Sequence, residues 1–154
     1  MNYVSKAPTR LFALVALTGA TGFGAGLASA QEAGKILMAI GEVSIKRDGV
    51  IIPAKRGMSV NSGDAIVTGG TSNAQVKFSD GAVVALRPDT EFKVNEYKFG
   101  GKADGTEKAS VSLVKGGVRA VTGVIGRGNR DNLKVDAVVA TVGIRGTGFN
   151  IALS

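Results

Sequence analysis

From Glu42 onward, segment after segment places its apolar residues at every second position, and paired turn residues separate the segments. In "EVSIKR", Val43 and Ile45 face one way while Ser44 and Lys46 face the other. In "AQVKFS", Val76 and Phe78 alternate with Gln75, Lys77 and Ser79, and in "TEFKVN", Phe92 and Val94 alternate with Glu91, Lys93 and Asn95. "SVSLVK" and "VRAVTG" read the same way. A period of two rich in β-branched residues specifies half-buried strands. Beyond Gln31, no window of eleven or more residues carries a helical stripe. The expectation is an all-β domain.

Turn chemistry divides these strands. Asp48-Gly49, Asp80-Gly81 and Gly116-Gly117 each sit between two alternating runs and can supply the positive φ of a two-residue hairpin. Pro53 cannot donate to a ladder, which favours an edge position. "GGKADGTEK" (100–108) and "GRGNRDN" (126–132) read as loops. Gly49, Gly81 and Gly117 are spaced 32 and 36 residues apart. Units of that size suggest stacked hairpins in a solenoid-like or β-roll arrangement, with a β-sandwich as the alternative.

The first thirty residues have a different grammar. Lys6 and Arg10 precede an apolar run from Leu11, and small residues lead to Ala28-Ser29-Ala30. This is the layout of a secretory signal peptide. The strongly apolar part is shorter than the roughly twenty residues of a spanning helix, and Gly19, Gly22, Gly24 and Gly26 interrupt the stretch after it. The expected domains are therefore a leader over 1–30 and a mature chain over 31–154 that starts at Gln31. The mature chain contains no apolar run of spanning length and no cysteine for lipid attachment or disulfides. A periplasmic or secreted location is expected.

The net charge of +7 falls to +5 once Lys6 and Arg10 leave with the leader. That bias favours anionic envelope polymers or acidic proteins over nucleic acid, which is a poor match for an exported chain. Aromatic residues make up 5% of the sequence, too few for an obvious stacking platform.

Histidine and cysteine are absent, which removes the usual triads and thiolate or imidazole zinc sites. Asp64, Asp80, Asp89 and Asp104 neighbour glycine or proline, as turn residues do, because aspartate tolerates left-handed backbone and bonds its own chain. Glu91, Glu96 and Glu107 lie in or beside strands, but no carboxylate pair stands out for acid–base glycan cleavage. No calcium-loop pattern and no G-x-S-x-G elbow occurs, and nothing selects a Ser–Lys pair. No enzymatic activity and no cofactor or metal is expected.

The C-terminal "AVVATVGIRGTGFNIALS" holds Gly143, Gly146 and Gly148 around Arg145. A phosphate loop would need a Lys-Ser/Thr pair or a helix after the glycines. Residues 149–154 instead alternate as a strand. The glycines read as bends where strands meet, with Arg145 as a tie to loop carbonyls.

Several markers then occur in order: Gly63-Asp64 before a strand, Ser79-Asp80-Gly81 in a hairpin, Lys115-Gly116-Gly117 with Arg119, and Gly143-Ile144-Arg145-Gly146-Thr147. In this order they resemble the FecR domain family over about residues 39–151. The resemblance implies a β-rich extracytoplasmic domain without enzymatic activity. The best-known members span the inner membrane and relay a signal from an outer-membrane iron–siderophore receptor to a sigma factor. A cleavable leader in place of their cytoplasmic segment and membrane helix makes this chain similar to the stand-alone exported members. The function expected is a binding, sensing or adaptor module acting through contact with an unknown envelope protein. An exposed strand edge near Pro53 or at the C-terminal strand is the expected route. The alternative is a binder of envelope carbohydrate or anionic polymer through Arg119, Arg127, Arg130 and Lys134.

Overall fold

A computed structural model of the chain describes residues 31–153 apart from 103, 139 and 143–146. The expected leader, with Ala28 and Ala30, lies outside the described residues, as do Gly143, Ile144, Arg145 and Gly146. In chain order the strands are β1 (Glu32–Ile40), β2 (Val43–Arg47), β3 (Val50–Pro53), β4 (Ser59–Asn61), β5 (Ala65–Thr68), β6 (Asn73–Phe78), β7 (Val83–Leu86), β8 (Glu91–Lys98), β9 (Lys108–Lys115) and β10 (Gly117–Val121). A five-residue helix α1 (Val124–Gly128) and a 3-10 turn (Arg130–Asn132) come next. The last strands are β11 (Leu133–Ala137), β12 (Ala140–Val142) and β13 (Gly148–Ala152).

The strands form two sheets. The first has the order β13-β10-β7-β6-β1-β4, and the second β12-β11-β9-β8-β5-β2-β3. All neighbours are antiparallel except β9 and β11. The all-β expectation holds. One face of each sheet is apolar, and both faces contribute to a single core, which is the layering of the sandwich alternative. The chain crosses repeatedly from one layer to the other, which gives the path its rolled character.

The alternation read in the sequence decides which side chains face inward. Val76 and Phe78 of β6, Val84 and Leu86 of β7, and Val118 and Ala120 of β10 are buried from the first sheet. Ile45, Ile66, Phe92, Val94, Leu113 and Val135 meet them from the second. The Phe78 ring packs edge-on to Phe92 at 6.5 Å and tilted on Tyr97 at 5.4 Å, so three aromatics tie the two layers together. Burying a side chain of this size contributes about 1.5–3 kcal/mol.

Two expectations are corrected. Gly116-Gly117 does not close a hairpin, because β9 and β10 belong to different sheets. The pair turns the chain across the core. Residues 126–132 are not plain loop, since they hold the end of α1 and the 3-10 turn. Gly126 allows this: a Cβ there would meet Thr122 and Leu133 side chains. Asp48-Gly49 and Asp80-Gly81 do join neighbouring strands of one sheet, and Pro53 lies on the edge strand β3.

Candidate functional site

Among the described residues the two sheets have four edges, and three of these are shielded by their sequence. β3 ends in Pro53, while β4 and β12 are three residues long. Natural sheets use such devices, and edge charges, to discourage unwanted pairing. β13 reads "GFNIA" and has neither proline nor charge. It pairs with β10 over its whole length, from Gly117 opposite Ala152 to Val121 opposite Gly148. Just beyond the strand's two ends, Leu153 N–H donates to the Gly116 carbonyl at 2.8 Å and Thr122 N–H to the Thr147 carbonyl at 2.9 Å. The antiparallel alternation then aims the N–H groups of Asn150 and Ala152 away from β10, toward the open edge.

The inward side chains of β13, Phe149 and Ile151, are only partly buried and pack on the rim of the core. Beside Phe149 an apolar cleft opens between the layers, lined by Ala120 and Val121 of the first sheet and by Leu133 and Val135 of the second. The site therefore combines an unshielded strand edge with an apolar recess next to it. That arrangement suits an added strand with an alternating apolar side chain.

The residues singled out in the sequence mostly build the frame behind this edge. Asp80 is buried at the β6–β7 turn. Its carboxylate accepts from Ala82 N–H at 3.1 Å and Ile125 N–H at 3.2 Å, while its carbonyl accepts from Val124 N–H at 2.9 Å. It thus anchors the start of α1 on the hairpin. Its own N–H donates to the Tyr97 hydroxyl at 2.9 Å. Burial, with the Asp80 charge adding to it, pushes the Tyr97 phenol well above its ordinary value. Gly81 supplies the positive φ of the turn.

Gly63 and Asp64 lie at the β4–β5 turn. Gly63 N–H donates to the Val94 carbonyl at 2.7 Å, and Val94 N–H to the Asp64 carbonyl at 2.8 Å. Gly116 and Gly117 sit at the opposite end of β8, where Thr90 Oγ1 accepts from Gly117 N–H at 3.0 Å. Asp64, Asp80 and Gly117 are thereby all fastened to β8 or its approach. They are not gathered into one pocket. Thr147 is exposed and contributes the carbonyl bond to Thr122. Gln31 is exposed, and its carbonyl accepts from Ser62 N–H at 3.1 Å.

The basic residues proposed for anionic polymer do not form one patch. Arg119 projects from the outer face of the first sheet and Lys134 from that of the second, while Arg127 and Arg130 lie on α1 and the turn after it. Tyr97, Thr90 and Arg47, which hold this frame by side-chain hydrogen bonds, carry no motif of their own in the sequence. Tyr97 had one available signal, being the sole tyrosine beyond Tyr3.

A scan against family models matches the model described as FecR protein over residues 64–154. The chain belongs to the FecR family. No curated protein and no solved structure matched it. The FecR match begins at Asp64, but the folded core does not. β1 lies between β4 and β6 in the first sheet, and β2 lies between β5 and β3 in the second. The FecR segment and the strands before it share one interior, to which Ile36, Val43, Ile45 and Val60 contribute.

Proposed function

We propose that this chain is a non-enzymatic FecR-type sensing or adaptor module, exported and freed of its leader ahead of Gln31, that works in the periplasm or outside the cell by binding another protein. Family membership supports the sensing role. The charged, apolar and small-residue order of the first thirty residues supports export. Among the described residues, no helix is long and apolar enough to cross a membrane. The partner strand adds to β13, and the observation carrying this is the uncharged, proline-free edge beside the Phe149 cleft.

The test is crosslinking of the tagged mature domain in live cells, with mass spectrometry of the captured proteins, for the native chain and for Asn150→Pro. Proline at position 150 removes an outward N–H and leaves the bonds to β10 in place. The expected result is one dominant envelope protein, captured by the native chain and lost with Asn150→Pro, while both proteins show the same thermal transition. Capture unaffected by Asn150→Pro would rule out the β13 edge. A captured set with no dominant protein would rule out a dedicated partner.

A further inference from the structure

The outer face of the first sheet carries an arrangement that the β13 edge does not explain. Lys35 of β1 and Lys77 of β6 stand directly opposite each other across the ladder, both exposed. Like charges in that position are destabilising. Among the described residues no carboxylate lies within ion-pair distance of either, and Arg56 joins them in lining a shallow groove over Gly34. Arg119 projects from the same face on β10. The only acid in the six strands of this sheet is Glu32, at the groove rim, where it accepts from Ser59 Oγ at 2.7 Å.

Aliphatic side chains lie exposed among these cations. A register shift between Ile36 and Met38 bulges β1 and leaves Leu37 39% exposed beside the groove, and Ile40 on the same strand is 53% exposed. The second sheet carries more lysines, but Glu91, Glu96 and Asp136 are set among them, each in an ion pair with a lysine. A broad sheet face that mixes unpaired cations with exposed aliphatics, and offers no exposed aromatic ring for a sugar, complements a negatively charged lipid surface.

We infer that the outer face of the first sheet docks on an anionic lipid leaflet, with Lys35, Arg56, Lys77 and Arg119 meeting headgroup phosphates and Leu37 and Ile40 entering the interface. This surface is separate from the β13 edge, and a strand added at that edge would leave the face free.

The test is sedimentation of the chain from Gln31 onward, which carries every strand of both sheets, with vesicles of phosphatidylcholine alone or with one third phosphatidylglycerol. Binding is expected only with phosphatidylglycerol and is expected to weaken with salt. Lys35→Gln/Lys77→Gln/Arg119→Gln should lower it about a hundredfold, since each basic residue near an anionic surface contributes about a fivefold factor. Leu37→Ser/Ile40→Ser should lower it at unchanged charge. Lys93→Gln/Lys98→Gln/Lys115→Gln, on the second sheet, removes the same charge and should retain binding; an equal loss would reduce the effect to net charge and overturn the assignment. Failure to bind phosphatidylglycerol vesicles would also overturn it. So would tight binding of soluble polyphosphate that Leu37→Ser/Ile40→Ser leaves unchanged, since the groove would then serve a free polyanion. Asn150→Pro should not alter vesicle binding, which keeps this proposal separable from the strand-addition one. Circular dichroism confirms that each variant is folded.

Discussion

Arg47 holds Asp64 with two parallel hydrogen bonds, Nε to Oδ1 at 2.9 Å and Nη2 to Oδ2 at 2.6 Å, and Asp64 is only 1% exposed. The same carboxylate accepts from Asn61 N–H at 2.8 Å, and Arg47 also donates to the Ser59 carbonyl at 3.0 Å. One ion pair thus pins the β2–β3 hairpin to the β4–β5 turn. The carboxylate raises the Arg47 guanidinium above its already high ordinary value, so the arginine stays charged at any pH the fold survives. Asp64→Ala should cost about 3 kcal/mol, because it strands a partly buried guanidinium and an N–H group. Urea denaturation measures this, and a cost under about 1 kcal/mol would place the pair among ordinary surface bridges.

Gly116 and Gly49 both have positive φ, +81 and +78, but different surroundings. A Cβ at Gly116 would run into Thr90 Oγ1 and lie 2.5 Å from the Asp89 carbonyl oxygen, whereas one at Gly49 meets nothing. Gly49→Ala should cost about 1 kcal/mol for left-handed backbone alone. Gly116→Ala should cost about 3 kcal/mol or more, because backbone must shift as well. Equal melting temperatures for the two variants would contradict the crossing geometry at Gly116.

Tyr97 sets an alkaline limit on stability. Its folded-state pKa is raised above the unfolded value of about 10. Its contribution is therefore complete below about pH 10 and is lost as pH climbs from there toward the folded value. In the chain from Gln31 onward Tyr97 is the one tyrosine. Phenolate absorbance in an alkaline titration should appear together with unfolding, and Tyr97→Phe should flatten the fall of stability above about pH 10 while costing about 1 kcal/mol or more at neutral pH, because the Asp80 N–H loses its acceptor. Phenolate forming in a chain that is still folded would refute the burial argument.

A fragment starting at Asp64, where the family match begins, removes β1–β4 and with them Ile36, Val43, Ile45 and Val60. Burial of four such side chains contributes about 6–12 kcal/mol, comparable with the whole stability of a domain of this size. Heating the fragment should give no cooperative transition, while the chain from Gln31 should melt sharply.

The sequence showed most clearly the strands whose faces differ in polarity. β6, β8 and β10 could be read directly from Val76 and Phe78, Phe92 and Val94, and Val118 and Ala120. β1 was not read as a strand, because "KILMAI" is continuously apolar after its lysine and the bulge at Leu37 breaks the period. Gly116-Gly117 carries the same turn signature as a hairpin. What makes it a crossing is Thr90 Oγ1, 27 residues from the Gly117 N–H it accepts. The Arg47–Asp64 clamp spans 17 residues and leaves no local mark. The edges were partly visible, since Pro53 flags β3 and the lack of any guard marks β13. The opposition of Lys35 and Lys77 was not, because it depends on register between two strands about forty residues apart.

The central place of β1 in the first sheet also governs the order of events during folding. β1 leads the described strands, yet its partners β4 and β6 are made after it, and β6 ends only at Phe78. Until Asn61 is made this largely apolar strand has both backbone edges bare, and one of them stays bare until Phe78. Non-local pairing of this kind forms slowly and is open to wrong partners. This domain's most vulnerable moment thus comes while its first strand waits for the middle of the chain, and a holding chaperone would be most useful then.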